Sequence, residues 1–204
     1  MMRKIAVFYG GSYQNHYMFK ESEFHVFFDA LIPLRSFANT SLDEFDVLVV
    51  PAWSHMKMLE QNIDKIRAFA DAGKIVVTFG PQHIDWLPNA TWENRPTNFW
   101  WWLDPNAESG LRLTSPEHSL FKQYITLEDA TWHQHGVYHP AAHSEVLVSQ
   151  EDGAAVLYVD RHSSAGLWIN MTLDPDFHVG MHFMPAAERF LRGFLPWLKQ
   201  GDVQ

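Results

Sequence analysis

Three apolar runs, each closed by glycine or proline, mark the first eighty residues of the chain. They are residues 4–9 (KIAVFY), 46–51 (DVLVVP) and 74–79 (KIVVTF). Continuous apolar runs of this length are typical of strands buried on both faces of a parallel sheet. Residues 56–72 repeat apolar positions with helical spacing, and Gly73 supplies a C-terminal stop. Strand, helix and strand in this order predict a crossover between parallel strands.

The pattern changes in the last third of the chain. Residues 145–149 and 154–160 are apolar runs that flank Glu-Asp-Gly, a signal for a β-hairpin. Residues 166–173 form a further predicted strand. Residues 185–198 carry one apolar helical face, and Pro185 suits the first turn of a helix. An antiparallel extension therefore follows the parallel part.

Three further segments have weaker patterns of apolar and polar residues. Residues 14–28 are expected to be mainly helical, and residues 120–124 form a short helix or turn. Residues 31–40 are ambiguous, although Pro33 argues against a central strand there. The chain as a whole is predicted to be one α/β domain over residues 1–204, with a mainly parallel sheet.

A tryptophan-rich insert interrupts the pattern at about residues 84–114. Its aromatic residues stand among prolines, and the segment is too aromatic for a disordered linker. They are Trp86, Trp92, Phe99, Trp100, Trp101 and Trp102. The insert is either a lid over a pocket or an oligomer interface, because large exposed aromatic patches usually mark contact surfaces. Both interpretations stay open, and a homo-oligomer is expected.

Composition excludes several classes of protein. The sequence has no cysteine, so disulfides, thiolate metal sites and cysteine nucleophiles are impossible. The net charge is −9 and no block of lysine or arginine occurs, which argues against nucleic acid as a partner. No apolar stretch reaches the roughly 18 residues of a membrane span. The first apolar run ends at Gly10, too early for a signal peptide, so we expect a cytoplasmic protein.

Histidines cluster where the predicted strands end. Five segments contain them: residues 10–16, 53–55, 80–83, 132–139 and 174–182. In open parallel sheets, ligands bind beyond the carboxyl ends of the strands. The sequence therefore predicts that these segments line one pocket.

Two uses of these side chains remain open. A histidine oriented by an aspartate is the usual proton-transfer pair, and we favour His135 with Asp174, assisted by His133, as the catalytic set. Ser12 and Ser54 are better explained as turn or cap residues than as nucleophiles. Trp53 and the insert could stack on a sugar ring. The predicted ligand-binding residues are His16, Trp53, His55, Gly80, His178 and Asp176.

The second use is a divalent metal. His133 and His135 share one side of an extended chain, and His178 and His182 share one face if their segment is helical. Asp174 or Asp176 could complete such a site. No familiar metal-binding spacing is present, so we predict no particular cofactor and keep a metal-dependent hydrolase or isomerase as an alternative.

Residues 46–80 and 166–176 together resemble the core of the class I glutamine amidotransferase-like superfamily. The resemblance implies a flavodoxin-like three-layer sandwich with the nucleophile on the turn after residues 74–79. Gly80 stands where that family has its catalytic cysteine, and Asp174-Pro175-Asp176 stands where it has His-Pro-Glu. Glycine has no side chain for covalent chemistry, so the chain is not expected to be a glutaminase.

Within that superfamily the chain looks most like the ThuA-like branch, which is linked to sugar metabolism. The resemblance lies in Asn15-His16 after the first strand and in the acidic turn Glu128-Asp129. It implies a pocket for a small polar ligand, with a carbohydrate-related compound as the expected class. A non-catalytic interaction domain that forms an oligomer remains a further alternative.

Overall fold

A computed structural model describes residues 2–82, 85–97, 103–104 and 106–203. Within these residues ten strands form one sheet. They are β1 (Ile5–Tyr9), β2 (Ala30–Pro33), β3 (Val47–Val50), β4 (Ile75–Thr78), β5 (Ala90–Asn94), β6 (Leu111–Leu113), β7 (Gly136–Pro140), β8 (Glu145–Gln150), β9 (Ala155–Asp160) and β10 (Leu167–Met171). The first three apolar runs of the sequence are thus β1, β3 and β4.

The helices lie between and after these strands. They are α1 (Tyr13–His16), α2 (Leu34–Phe37), α3 (Met56–Glu60), α4 (Ile63–Asp71), α5 (Ser119–Gln123), α6 (Pro175–Gly180) and α7 (Pro185–Gln200). The described helical segments also include a π-helical segment (Tyr17–Glu21) and the 3-10 helices Glu23–Phe27 and Glu128–Ala130. Among the described residues, no helix is long and apolar enough to cross a bilayer.

The sheet has a parallel part and an antiparallel part. Strands β2, β1, β3, β4 and β10 are parallel neighbours in that order. Strand β9 runs antiparallel to β10, and the antiparallel pairing continues through β8 to β6 and through β7 to β5. The predicted α/β architecture with an antiparallel extension is confirmed at this level. Strand β2 is an edge strand, which agrees with Pro33 at its end.

Both faces of the parallel part are covered, which explains the continuous apolar runs. Ile5 and Val7 of β1 belong to a core on the side of α7, whereas Ala6 and Phe8 belong to a core on the side of α2 and α4. The same alternation occurs in β3 and β4, because successive side chains of a strand point to opposite faces. Helices on two faces of one sheet give three layers.

One sequence-based boundary needs correction, and two further segments are described in finer detail by the structure. The single helix predicted over residues 56–72 is two helices, because Asn62 leaves the helical conformation (φ −120°, ψ 4°) and its side chain donates to the Met58 carbonyl oxygen at 2.7 Å. Residues 14–28 are helical but divided among α, π and 3-10 turns, with a break at Ser22. Residues 31–40 hold the end of β2 and the short helix α2.

The tryptophan-rich insert is partly integrated into the sheet. Trp86 is buried and packs against Trp168, with ring centroids 5.9 Å apart. Trp92 lies in β5 and packs against Tyr138 of β7. These two tryptophans therefore contribute to the core. Phe99, Trp100, Trp101 and Trp102 lie outside the described residues, so the choice between lid and interface stays open for them.

Helix α6 packs unusually closely on α1. A Cβ atom on Gly180 would lie 2.6 Å from both the Cα and the carbonyl oxygen of Gln14. These are backbone atoms, so neither can move without displacing a helix. The absence of a side chain at Gly180 lets α6 approach the turn after β1.

We expect Gly180→Ala to lower the free energy of unfolding by about 1–3 kcal/mol, the usual cost of overpacking. Helix propensity alone would raise it by up to about 1 kcal/mol, so the sign of the change is diagnostic. Denaturant unfolding measures it. Gly10→Ala is the matched control, because the new Cβ would meet side-chain atoms alone, Asn15 Oδ1 at 3.0 Å and Leu34 Cδ1 at 3.8 Å. Equal stability of the two variants would contradict the close helix contact.

Candidate functional site

The carboxyl ends of the parallel strands meet at one edge of the sheet. A cleft of about 1160 Å³ opens there, between the segments that follow β1, β2 and β3 and the start of α6. Trp53, His55 and Asp176 are the sequence-predicted residues that line it. Ligands in open α/β sheets bind at this edge, so the position of the cleft supports a binding role.

Asp174 is the most heavily bonded carboxylate of this region. It is 1% exposed; Oδ2 accepts from Trp53 Nε1 at 3.2 Å, and Oδ1 accepts from Trp132 Nε1 at 3.1 Å. His178 Nε2 lies 3.1 Å from Oδ1. Burial alone would raise the pKa of Asp174, but His178 and the two indoles outweigh it and hold the pKa below its usual range. Asp174 is therefore ionised at neutral pH.

The pKa of Asp176, two residues later, is shifted in the opposite direction. It is fully buried, and its Oδ2 accepts from the Ala52 backbone N–H at 3.1 Å. Its Oδ1 has no hydrogen-bond partner among the described residues. Burial and the neighbouring charge of Asp174 raise the pKa of Asp176 to about 8. Asp176 is therefore a neutral carboxylic acid at pH 7.

Three histidines gather beside Asp174. The His133 ring centroid lies 4.9 Å from that of His178 and 5.5 Å from that of His135. Burial and the nearby His178 lower the pKa of His133 to about 4, so its imidazole is neutral at physiological pH. Neither ring nitrogen of His178 makes a hydrogen bond within the described part of the chain, so the 3.1 Å approach of Nε2 to Asp174 is a close polar contact. The sequence favours His135 as the partner of Asp174, whereas the structure places His178 in contact with that carboxylate.

Trp53 joins the histidine cluster to the cleft. Its ring lies 5.1 Å from His135 and 6.2 Å from Phe177, and it is also part of the cleft wall. The residue is 39% exposed and has φ +56°, a left-handed conformation that is uncommon for a large side chain. Backbone strain of this kind persists only where surrounding contacts fix it, and it concentrates at functional sites.

Gly80 shows why the turn after β4 cannot hold a nucleophile. Its φ is +63°, and a Cβ there would lie 2.5 Å from the Ala52 Cβ and 2.9 Å from the Asp174 Cβ. Any side chain at position 80 would collide with both. Gly80 lies against Asp174, and its predicted part in ligand binding remains a prediction.

The remaining predicted residues are dispersed. His16 is exposed and contacts Tyr9 Oη at 3.2 Å and Glu21 at 3.1 Å. His55 lines the cleft and accepts from the Met58 backbone N–H as the cap of α3. His182 follows the end of α6 with φ +54° and packs on Tyr17, so it does not share a face with His178. His83 lies outside the described residues.

Two further expectations concern the roles of the two serines and a possible metal site. Ser12 Oγ accepts from the Asn15 backbone N–H at the start of α1, and Ser54 Oγ donates to the Pro51 carbonyl oxygen. Both behave as cap or turn residues. Among the described residues, no group of three or more His, Asp or Glu side chains is arranged to hold a metal ion.

Two contributors to the site were missed by sequence reasoning. Trp132 donates to Asp174, although its neighbour His133 attracted attention in the same segment. Arg35 lines the cleft because β2 is a fifth parallel strand, and its carboxyl end reaches the same edge. The ambiguity of residues 31–40 concealed this position. Treating Pro33 as the end of an edge strand would have revealed it.

Comparison with known proteins shows the fold and not a family. No protein-family model matches the chain, and no curated protein matches its sequence. The structure is similar to that of a cytoplasmic protein from Salmonella typhimurium LT2, with TM-score 0.56, 13% identity and coverage of 97% of this chain and 100% of that one. It is also similar to part of an exo-β-1,4-mannosidase from Opitutaceae bacterium strain TAV5, with TM-score 0.54 and 9% identity. That match covers 96% of this chain but 35% of the mannosidase.

The neutral state of Asp176 predicts a specific pH dependence of stability. Because the pKa is higher in the folded than in the unfolded state, stability from this group is lost as the pH rises toward and through about 8. We expect Asp176→Asn to remove roughly 3 kcal/mol of the decrease in unfolding free energy between pH 6 and pH 9, at about 1.4 kcal/mol per pH unit below the folded-state pKa. Denaturant unfolding at both pH values measures this.

Asp160→Asn is the control for this measurement. Asp160 is also buried, but hydrogen bonds from Ser163 and the backbone overcome the effect of burial and lower its pKa. Its replacement should reduce stability at every pH above 6 without flattening the profile. A profile that Asp176→Asn leaves unchanged would show that Asp176 is ionised in the fold.

Proposed function

We propose that the cleft at the carboxyl edge of the parallel strands binds a small polar ligand, with a carbohydrate-related compound as the favoured class. One observation carries this proposal. A fully buried, ionised Asp174 is held by two indole N–H groups and a histidine, directly beside a second buried carboxyl group that lines the cleft. Buried charges are costly, and such clusters with shifted pKa values are concentrated at functional sites.

The shape and chemistry of the cleft support a sugar-sized ligand. Its volume of about 1160 Å³ exceeds what a monosaccharide needs. Trp53 supplies an aromatic surface, and Ser12, Gln14 and Asn15 of the same lining carry polar groups. Most small-molecule sites combine apolar or aromatic lining with a few polar groups that fix orientation.

The histidine cluster offers acid–base groups next to the same wall. His133 is neutral and able to accept a proton, and His178 contacts the ionised Asp174. His133, His135 and Asp174 remain the proposed catalytic set, to which the geometry adds His178 as the imidazole in contact with Asp174. Proton transfer to a ligand near Trp53 is the chemistry that these groups suit best.

Strand order supports the resemblance to the amidotransferase-like superfamily. The order β2, β1, β3, β4, β10 of the parallel part corresponds to the flavodoxin-like order 2-1-3-4-5. Gly80, with its left-handed φ, occupies the turn where that family carries its nucleophile. We therefore propose a ThuA-like domain without glutaminase chemistry. The mannosidase neighbour is an enzyme that acts on carbohydrate, and its likeness to this chain concerns the fold alone.

A ligand-binding experiment tests the proposal. Neutral and acidic monosaccharides and disaccharides are screened by thermal shift, and the best compound is measured by isothermal titration calorimetry. Trp53→Ala should weaken binding at least tenfold, equivalent to about 1.4 kcal/mol, because it removes the aromatic wall and one donor to Asp174.

Matched variants separate stacking from hydrogen bonding. Trp53→Phe keeps an aromatic ring but loses the indole N–H, so we expect an intermediate affinity. Trp92→Phe makes the same change in β5, at the far end of the sheet, and should bind normally. If no compound binds, or if both Trp53 variants bind like wild type, the cleft is not a carbohydrate-class site.

A further inference from the structure

The cleft has an unusual charge for this protein. The chain carries a net charge of −9, yet the described residues that line the cleft include no lysine or glutamate and one aspartate, Asp176. That aspartate is held neutral by its surroundings. Arg35 is the one arginine of the described lining. Arg35 is thus the one exposed cationic side chain of the described lining, because the neighbouring anion Asp174 is buried and contacted by two indoles and a histidine. An exposed cation on the wall of a cleft attracts anions.

Arg35 differs from the other arginines of the chain. Seven of the eight arginines bond a carboxylate or a carbonyl oxygen of the protein: Arg3, Arg67, Arg95, Arg112, Arg161, Arg189 and Arg192. Arg35 is exposed and makes no hydrogen bond or ion pair with any described residue. Its guanidinium group retains a full set of donors, in a geometry that suits a carboxylate.

Asp176 adds no charge to the cleft wall at neutral pH. Its Oδ2 accepts from Ala52, and its Oδ1 is buried with no partner among the described residues, so neither oxygen is open to a ligand. The neighbouring Asp174 is ionised and already contacts three groups. When two carboxyl groups lie this close in a buried site, one of them holds a proton. Asp176 is the protonated one, so it places no negative charge at the cleft wall.

We propose that the cleft selects a sugar acid, a polyhydroxylated compound with one carboxylate. The carboxylate binds Arg35, the ring lies against Trp53, and the neutral Asp176 beneath the cleft wall adds no opposing charge. This inference rests on the proposed function and specifies its ligand. A single uncommitted arginine matches a monoanion, because a phosphate ester carries nearly two charges at neutral pH.

The proposed role of Asp176 makes binding depend on pH. Above pH 8 an ionised Asp176 would place a negative charge beneath the cleft wall and repel the ligand carboxylate. Asp174 and His178 lie beside it, His133 packs on His178, and Tyr9, Arg35 and His55 share the cleft lining. The elements packed on α6 also carry exposed or half-buried titratable groups: Tyr13, His16, Tyr17, Lys20, Glu21, Glu188, Arg189, Arg192 and Lys199. These groups are common to wild type and to every Asp176 variant.

Calorimetric titration with D-glucuronate and with D-glucose tests the charge preference on the whole chain. At pH 6.5 the acid should bind at least tenfold more tightly than the neutral sugar. Arg35→Gln should reduce this preference to less than threefold. Arg112→Gln makes the same change at an exposed arginine of β6 and should preserve the preference.

A second titration series tests Asp176. For wild type, the dissociation constant for D-glucuronate should rise at least fivefold between pH 6.5 and pH 9.0. In Asp176→Asn and in Asp176→Ala the ratio of the two constants should fall to near one, because neither side chain titrates in this range. A wild-type constant that does not change with pH would overturn the role of Asp176.

The outcomes separate the two proposals. Equal binding of glucose and glucuronate, or equal behaviour of Arg35→Gln and Arg112→Gln, overturns the sugar-acid inference and leaves the carbohydrate-class cleft intact. The proposed function and this inference are both overturned if neither compound binds and if Trp53→Ala leaves the affinity for every other screened compound unchanged.

Discussion

The burial of two carboxyl groups within one turn is the constraint on which the site depends. Asp174 and Asp176 are separated only by Pro175 at the start of α6, and both are excluded from solvent. They cannot both be ionised without a large energetic penalty, so one is stabilised as an anion and the other as an acid. Trp53, Trp132 and His178 determine which one is which, because all three contact Asp174.

This arrangement explains features that look unrelated along the chain. Trp53 accepts a strained backbone, and its indole reaches Asp174 from the turn after β3. Gly180 lacks a side chain, which permits α6 to lie against α1 beside the cleft. Ala52 donates its backbone N–H to Asp176. Each of these groups comes from a different segment, and the parallel strand ends bring them together.

The sequence predicts much of the fold because its signals are local. The runs that became β1, β3 and β4 are apolar on both faces, and the Glu-Asp-Gly hairpin lies where the turn residues indicate. The break at Asn62 was missed because the apolar spacing continues across it. The contact between Asp174 and His178 could not be predicted, because it depends on side-chain direction in three dimensions. Arg35 was overlooked for a similar reason, since only the sheet order shows that β2 ends at the cleft.

The left-handed glycine after β4 also limits how this protein can change. A side chain at position 80 would need space that the Cβ atoms of Ala52 and Asp174 occupy, and neither of these is the mobile end of a long residue. No single codon change can therefore install a serine or cysteine nucleophile without disturbing the carboxylate on which the site depends. In evolutionary terms, the chain stands several coordinated substitutions away from covalent catalysis, so any new activity of this domain has to arise by changes in the cleft walls.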